Sequence, residues 1–317
     1  MKLGLTYVST HLPYHIKADM ETIKSIGCDE VLFAIQENHI NTLDGAVRFG
    51  PKLAKEADLV PYVVLWGFAN TFGGGRISNF MLDNQDVWRV AKDGTKIPMG
   101  CLNNPKLADG FLKLTNLCRD YGFMGTFIDE PTPQECFCEN CQQKFREMFR
   151  KDLVSAYGSK EYIQFQRTTV VTYTSSVCAA VKKLDSKLKT FCCVMPHDKE
   201  CFHAVAKIPE LDVFATDPYW LVEKDKTIEW AVELAVMAKK EADTNNKESQ
   251  VWLNLWKIPA GREEEIYSGG KKLAEVGCDS LYTWGYKGAL GTVEECDDPD
   301  RAWSYFCKLY KELSKQK

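Results

Sequence analysis

Residues 118–130, CRDYGFMGTFIDE, carry three consecutive signals. A helical run ends at Gly122, the residue type that supplies the left-handed conformation helix C-termini favour. The apolar run FMGTFI follows at strand length and stops on Asp129 and Glu130. The same helix, Gly, strand device recurs at 23–33 (IKSIGCDEVLF) and 273–284 (LAEVGCDSLYTW). Working outward, eight such runs appear in order: LGLTYV, DEVLFAI, PYVVLW, FMGTFIDE, TFCCVM, DVFATD, VWLNLW and DSLYTW. Each ends in polar or aromatic residues, and helical stretches separate them. Eight strand–helix units predict an α/β fold, a closed (β/α)8 TIM barrel forming a single domain over 1–317. Such barrels build their sites at the carboxyl ends of the strands, so those ends are where chemistry is sought.

The 317 residues, 45% hydrophobic and 26% charged, can bury a large core, and the strand signals from Leu3 to Trp284 leave no room for a second domain. A net charge of −4 with scattered lysines argues against nucleic-acid binding, which needs a concentrated basic stripe. No apolar segment approaches the roughly 20 residues of a membrane span, and MKLGLTYVS runs straight into the first strand without a signal-peptide core, so a cytoplasmic protein is expected. Thirteen cysteines, several inside strands, fit small apolar core residues in a reducing compartment. Assembly into a homo-oligomer stays open.

Two connections are long. Between the third strand and the helix near Pro105 runs NTFGGGRISNFMLDNQDVWRVAKDGTKIPMG (70–100), and the fourth and fifth strands are separated by 131–189. Loops of this length are usually lids or binding walls, and both leave from the carboxyl face. The first is expected to fold over the barrel mouth, anchored by Phe72, Phe80 and Trp88. GGGR (73–76) and GYKGALG (285–291) could cradle a phosphate, but neither has a diagnostic spacing.

Directly after the fourth strand, Cys136, Cys138 and Cys141 form C-x-C-x-x-C. Three thiolates within six residues can fold around one tetrahedral Zn2+ and need a fourth ligand, for which Cys101 in MGCLNNP is the natural candidate. The pattern of Cys101, N-x-P, an acidic strand end and C-x-C-x-x-C-x-x-x-F resembles glycoside hydrolase family 42 and its barrel relatives over roughly Pro98–Phe149. The resemblance implies a structural zinc held by these four cysteines, and a carbohydrate substrate.

Glycoside hydrolysis needs two carboxyl groups facing each other across the sugar. In the family resembled, the fourth strand ends Asn-Glu and the Glu is the general acid/base. Glu130 matches it, while Asp129 replaces the Asn. The family's nucleophile is a Glu ending the seventh strand, yet this strand reads VWLNLWKIP, with Asn254, Trp256 and Lys257 and no carboxylate. Glu263, Glu264 and Glu265 come later and suit a helix first turn. Asp217, in FATDPYW, is the best substitute partner, although an Asp-Pro step also caps turns. Pairing of Asp residues on the fourth and sixth strands resembles α-galactosidase and α-glucosidase barrels. Glu37 is a further carboxylate on this face. Trp66, Tyr219, Trp220, Trp256 and Trp284 are candidate sugar platforms, with His197, Asn254 and Lys257 as polar contacts. No H-x-H stands on the first strand, so a catalytic metal is not expected.

The expected activity is therefore hydrolysis of a glycosidic bond by two-carboxylate chemistry, with Glu130 as acid/base and Asp217 or Asp129 as partner. Two rivals follow from the departures. A carbohydrate-binding barrel without catalysis accounts for the missing seventh-strand Glu, and a lyase or aldolase would use Lys257 as a Schiff-base amine.

Overall fold

A computed structural model of the chain describes residues 1–73, 78–195 and 198–316. Its ten strands are β1 (Lys2–Tyr7), β2 (Glu30–Ile35), β3 (Val60–Leu65), β4 (Trp88–Val90), β5 (Lys96–Gly100), β6 (Gly125–Asp129), β7 (Lys189–Cys193), β8 (Val213–Thr216), β9 (Glu248–Asn254) and β10 (Ser280–Trp284). Eight of them, all parallel, close in the order β1-β10-β9-β8-β7-β6-β3-β2, while β4 and β5 form a separate antiparallel hairpin. Closure is made where Leu3 of β1 pairs with Leu281 of β10 and Gly4 with Glu30 of β2.

The helices are α1 (Pro13–Ser25), α2 (Glu37–Asn41), α3 (Gly45–Glu56), α4 (Asn79–Asp83), α5 (Pro105–Tyr121), α6 (Glu139–Phe149), α7 (Lys160–Leu184), α8 (Lys199–Ala206), α9 (Ile228–Thr244), α10 (Glu264–Glu275) and α11 (Pro299–Ser314). Their ends follow local chemistry. The Asn104 side chain accepts from the Lys106 N–H at 3.1 Å, Pro105 opens α5, and Gly122 closes it at φ +104°. The amphipathic run from Asn140 to Gly158 is not one helix: α6 stops at Phe149, where Arg150 turns left-handed at φ +55°, and α7 starts after the Ser159 cap. No helix among the described residues is long and apolar enough to cross a membrane.

Strand alternation sorts the core into two layers. Outward residues such as Leu5, Phe33, Ile128, Phe214 and Leu253 pack against the helices. Inward residues Tyr62, Val64, Phe127, Phe191, Val213, Ala215, Trp252 and Tyr282 fill the barrel. At the amino end the buried Glu30 carboxylate accepts from Tyr282 Oη at 2.6 Å and Tyr62 Oη at 3.5 Å, with Lys2 Nζ 3.5 Å away. Gly4 is required there, since a Cβ would stand 2.1 Å from the Tyr282 ring. These side chains fill the amino end of the shaft, and the barrel opens into a pocket at its carboxyl end.

Both long connections have internal structure. The 70–100 segment holds α4 and the β4–β5 hairpin, and the 131–189 segment holds α6 and α7. Phe72 packs on Phe111 and Tyr173, Phe80 on Phe68, and Trp88 Nε1 donates to the Met81 carbonyl at 2.7 Å, so all three aromatics act as anchors. The hairpin, however, joins the cysteine loop through Phe137 N–H to the Val90 carbonyl at 2.7 Å. Of the described part, only the Phe72–Gly73 end reaches the barrel mouth, with Gly73 lining the pocket there.

Candidate active site

Inward parity aims the strand ends. On β6, Phe127 faces the barrel axis, so Asp129 two residues on does too. The same step leads from Ala215 on β8 to Asp217, from Trp252 to Asn254 on β9, and from Val64 to Trp66 beyond β3. Glu130 would face outward if the strand continued. Its backbone instead turns left-handed at φ +44°, with its N–H held by the Cys193 carbonyl at 3.1 Å. A non-glycine residue in that region costs about 1–3 kcal/mol, and here the turn puts a second carboxylate beside the first. Asp129, Glu130, Asp217, Glu294, Gly73, Trp66, Tyr219, Trp256 and Trp284 line one pocket with a cavity volume of about 110 Å3. That is smaller than the roughly 300–1,000 Å3 of drug-sized ligand sites.

Crowding sets the electrostatics. Burial, then the Glu130 charge, hold Asp217 well above the usual carboxylate range, and Asp217 is hydrogen-bonded to Glu130. Burial, then the charges of Glu130 and Glu294, do the same to Asp129. Asp129 keeps one edge exposed to the pocket, but protein surrounds it on its other sides. Burial and the negative charge beside it therefore favour the neutral form of Asp217. Asp217 and Glu130 stand side by side on the pocket wall. The turn after Asp217 is closed by its backbone carbonyl, 2.8 Å from the Tyr219 N–H, and Asp217 Oδ1 has no hydrogen-bond partner. Gly73 covers the cluster closely: a Cβ there would stand 2.2 Å from Asp129 Oδ2.

The aromatic walls are paired. Trp66 and Trp284 rings lie 5.5 Å apart, and Tyr219 meets Trp256 edge-on at 5.5 Å. Trp220 takes no part, being buried against Gly269 and Ile228 in the helix layer. Glu37 is also diverted: its carboxylate accepts from the Phe80 N–H at 2.8 Å and from Ser78, pinning the start of α4. Asn254 lies fully buried outside the set of lining residues, with neither amide atom hydrogen-bonded. Lys257 is exposed and lays its ammonium over the Trp256 ring at 5.5 Å, outside the lining residues. His197 lies outside the described residues, as does most of GGGR. The GYKGALG run is packed rather than open, with Gly288 against Pro299 and Tyr286 buried.

Glu294 is the lining residue that sequence reasoning missed. It follows β10 in a run without helical or strand periodicity, and its only signal is an acidic residue on the carboxyl side of a strand. Trp284 Nε1 donates to its Oε2 at 3.2 Å, and its carbonyl accepts from the Lys257 N–H at 2.9 Å.

Beside the barrel mouth, Cys101, Cys136, Cys138 and Cys141 bring four sulfurs within 4.8 Å of one another and could hold a metal ion. Cys101 Sγ is 3.4 Å from Cys141 and 3.6 Å from Cys138. A tetrahedral tetrathiolate with bonds of about 2.3 Å has sulfur separations of about 3.8 Å, so the cage needs almost no adjustment. The four sulfurs are close enough to perturb one another strongly, with contacts to Cys101 pushing the Cys138 thiol down and Cys141 up. Asn103 Nδ2 donates to Cys141 Sγ at 3.3 Å, a supporting contact of the kind metal ligands use.

The architecture is that of (β/α)8 barrels found among glycoside hydrolases. The β-galactosidase of the Antarctic haloarchaeon Halorubrum lacusprofundi aligns over 99% of this chain with a TM-score of 0.75 at 14% identity. The cold-adapted β-galactosidase of Rahnella sp. R3 aligns over 99% at 0.72 and 16% identity. This chain spans 58% and 56% of those two chains. The β-amylase catalytic domain of Paenibacillus polymyxa aligns over 99% of this chain and 98% of its own, at 0.65 and 10% identity. At such identities the likeness is one of fold. No protein-family profile matches the sequence, and no curated protein matches it.

Proposed function

We propose that this chain is a glycoside hydrolase acting on a glycosidic bond of a small saccharide or glycoside. The observation that carries the reading is the convergence of Asp129, Glu130, Asp217 and Glu294 on one aromatic-walled pocket at the carboxyl end of the barrel. Several carboxyl groups under tryptophan platforms are what protonation of a leaving oxygen and stabilisation of an oxocarbenium ion require. Glu130 is the general acid/base. Asp217 is the neighbouring carboxyl that positions Glu130, and Asp129, held toward its neutral form by burial, donates a hydrogen bond to the sugar. Trp66, Trp256, Trp284 and Tyr219 bind the sugar faces and edges.

The four cysteines hold a structural Zn2+, which would tie the strand-3 and strand-4 excursions together. Zinc suits a buried tetrathiolate, and the cage stands outside the carboxylate pocket, so the ion stabilises these loops and takes no part in the chemistry.

Screening 4-nitrophenyl glycosides of different sugars and both anomers tests the reading. Cleavage that Glu130→Gln removes for poor leaving groups supports it. Sugar binding without cleavage of any glycoside would leave a carbohydrate-binding barrel, the reading that Asn254 in place of a seventh-strand Glu favours.

A further inference from the structure

The pocket poses a geometric problem for two-carboxylate chemistry, since Asp217 and Glu130 touch each other and cannot flank a sugar. Asp129 comes from the same strand end as Glu130. A carboxylate facing this group must come from the far wall. In the ring of eight, β10 stands four places from β6, diametrically opposite it. Glu294 follows β10, and its carboxylate is tied to Trp284 at the end of that strand. From there it lines the pocket, and its charge is felt at Asp129 across it.

Its loop is stitched to the strand that lacks a carboxylate. Lys257 N–H donates to the Glu294 carbonyl at 2.9 Å, Asp297 N–H to the Ile258 carbonyl at 3.0 Å, and Cys296 N–H to the Gly288 carbonyl at 3.0 Å. The Glu294 N–H is itself bonded to Thr292 Oγ1 at 3.1 Å. The segment after β10 thus lies along the segment after β9, and it brings a carboxylate to the side of the barrel where β9 ends in Asn254.

We infer that Glu294 is the catalytic nucleophile, supplied by the loop after the eighth barrel strand. This rests on the hydrolase reading above. A carboxylate oxygen of Glu294 bonds to the anomeric carbon as the bond from that carbon to the glycosidic oxygen breaks. The electron pair leaves with that oxygen, which takes the proton from Glu130. Water then attacks the anomeric carbon of the glycosyl ester, giving its proton to the Glu130 carboxylate and releasing the Glu294 carboxylate. The Trp284 indole N–H, already on Oε2, orients the carboxylate and supports its charge when the ester is released.

The test takes each aryl glycoside the full chain cleaves and presents its 2-deoxy-2-fluoro dinitrophenyl analogue, followed by peptic digestion and mass spectrometry. The expected result is a fluoroglycosyl ester on the peptide containing Glu294. Glu294→Gln should lower turnover of activated glycosides on the order of 10³-fold or more while leaving the fold intact by circular dichroism. Glu294→Gly with azide should recover turnover and yield a glycosyl azide of inverted anomeric configuration. An ester on Asp129, Glu130 or Asp217, an inactive Glu294→Gln enzyme with no trapped ester in the parent, or Glu294→Gln turnover equal to that of the parent would each overturn the assignment while the hydrolase reading stands. No cleavage of any glycoside by the parent chain overturns both.

Discussion

At Glu130 the left-handed backbone and the Asp217 carboxyl beside it make one device, and its parts separate by mutation. Glu130→Gln should slow glycosides with poor leaving groups on the order of 10²–10⁴-fold, and those with activated leaving groups far less, because only the former need protonation. Steady-state kinetics over a series of phenol leaving groups reads this directly, and a uniform small loss would return Glu130 to a positioning role. Asp217 carries a stability signature as well. Its folded pKa lies well above the unfolded value of about 3.9, so the native chain keeps a proton that the unfolded chain releases as pH rises through that window. Stability is therefore full below about pH 4 and falls as pH rises toward the folded value. Asp217→Asn removes this penalty. It should gain on the order of 1 kcal/mol at pH 7 and nothing near pH 3.5, while losing turnover. Melting temperatures of both proteins across pH check it, and an equal shift at every pH would refute it.

At the scale of elements, the third connection divides its labour. Its hairpin, β4–β5, belongs to the cysteine cage, and its first residues belong to the pocket. Gly73 is the contact point, with its carbonyl bonded to the Gly67 N–H at 2.8 Å and its Cα over Asp129. Gly73→Ala must displace either the loop or the carboxylate. It should cut kcat/KM at least tenfold, about 1.4 kcal/mol in transition-state stabilisation, with little change in melting temperature. Unchanged kinetics would show that the loop moves freely off the carboxylates. This division was only half legible beforehand. The anchors Phe72, Phe80 and Trp88 stand out as apolar residues in a polar run, but the hairpin is a pairing of 88–90 with 96–100 whose partner, Phe137, is remote in sequence.

For the whole molecule, the cage ties together segments 35 residues apart, and its removal acts on the fold before the chemistry. One tightly bound Zn2+ per chain is expected by elemental analysis. Chelation, or Cys101→Ser, should lower the melting temperature by on the order of 5–10 °C, with turnover of the surviving folded fraction changed less than threefold. Absence of metal in protein purified without chelators would discard the zinc assignment.

The sequence by itself determined the barrel, because eight short apolar runs separated by helical stretches, with a Gly at several helix–strand junctions, are local signals that each unit repeats. It also placed Asp129, Glu130 and Asp217 at strand ends, and gave the Cys136, Cys138 and Cys141 triad by spacing, with Cys101 added through the family resemblance. Only the tertiary structure decided which side chains meet. Trp220 and Trp256 both follow strand ends, yet helix packing buries the first, whereas the second lines the pocket. Glu37 and Glu294 are both acidic residues following a strand, but a serine and a backbone amide of α4 capture the former, and the tryptophan that ends its own strand holds the latter toward the pocket. Local periodicity carries no information about which distant loop folds back over a strand end, since that depends on closure of the ring. Glu294 therefore became visible only once β10 stood opposite β6.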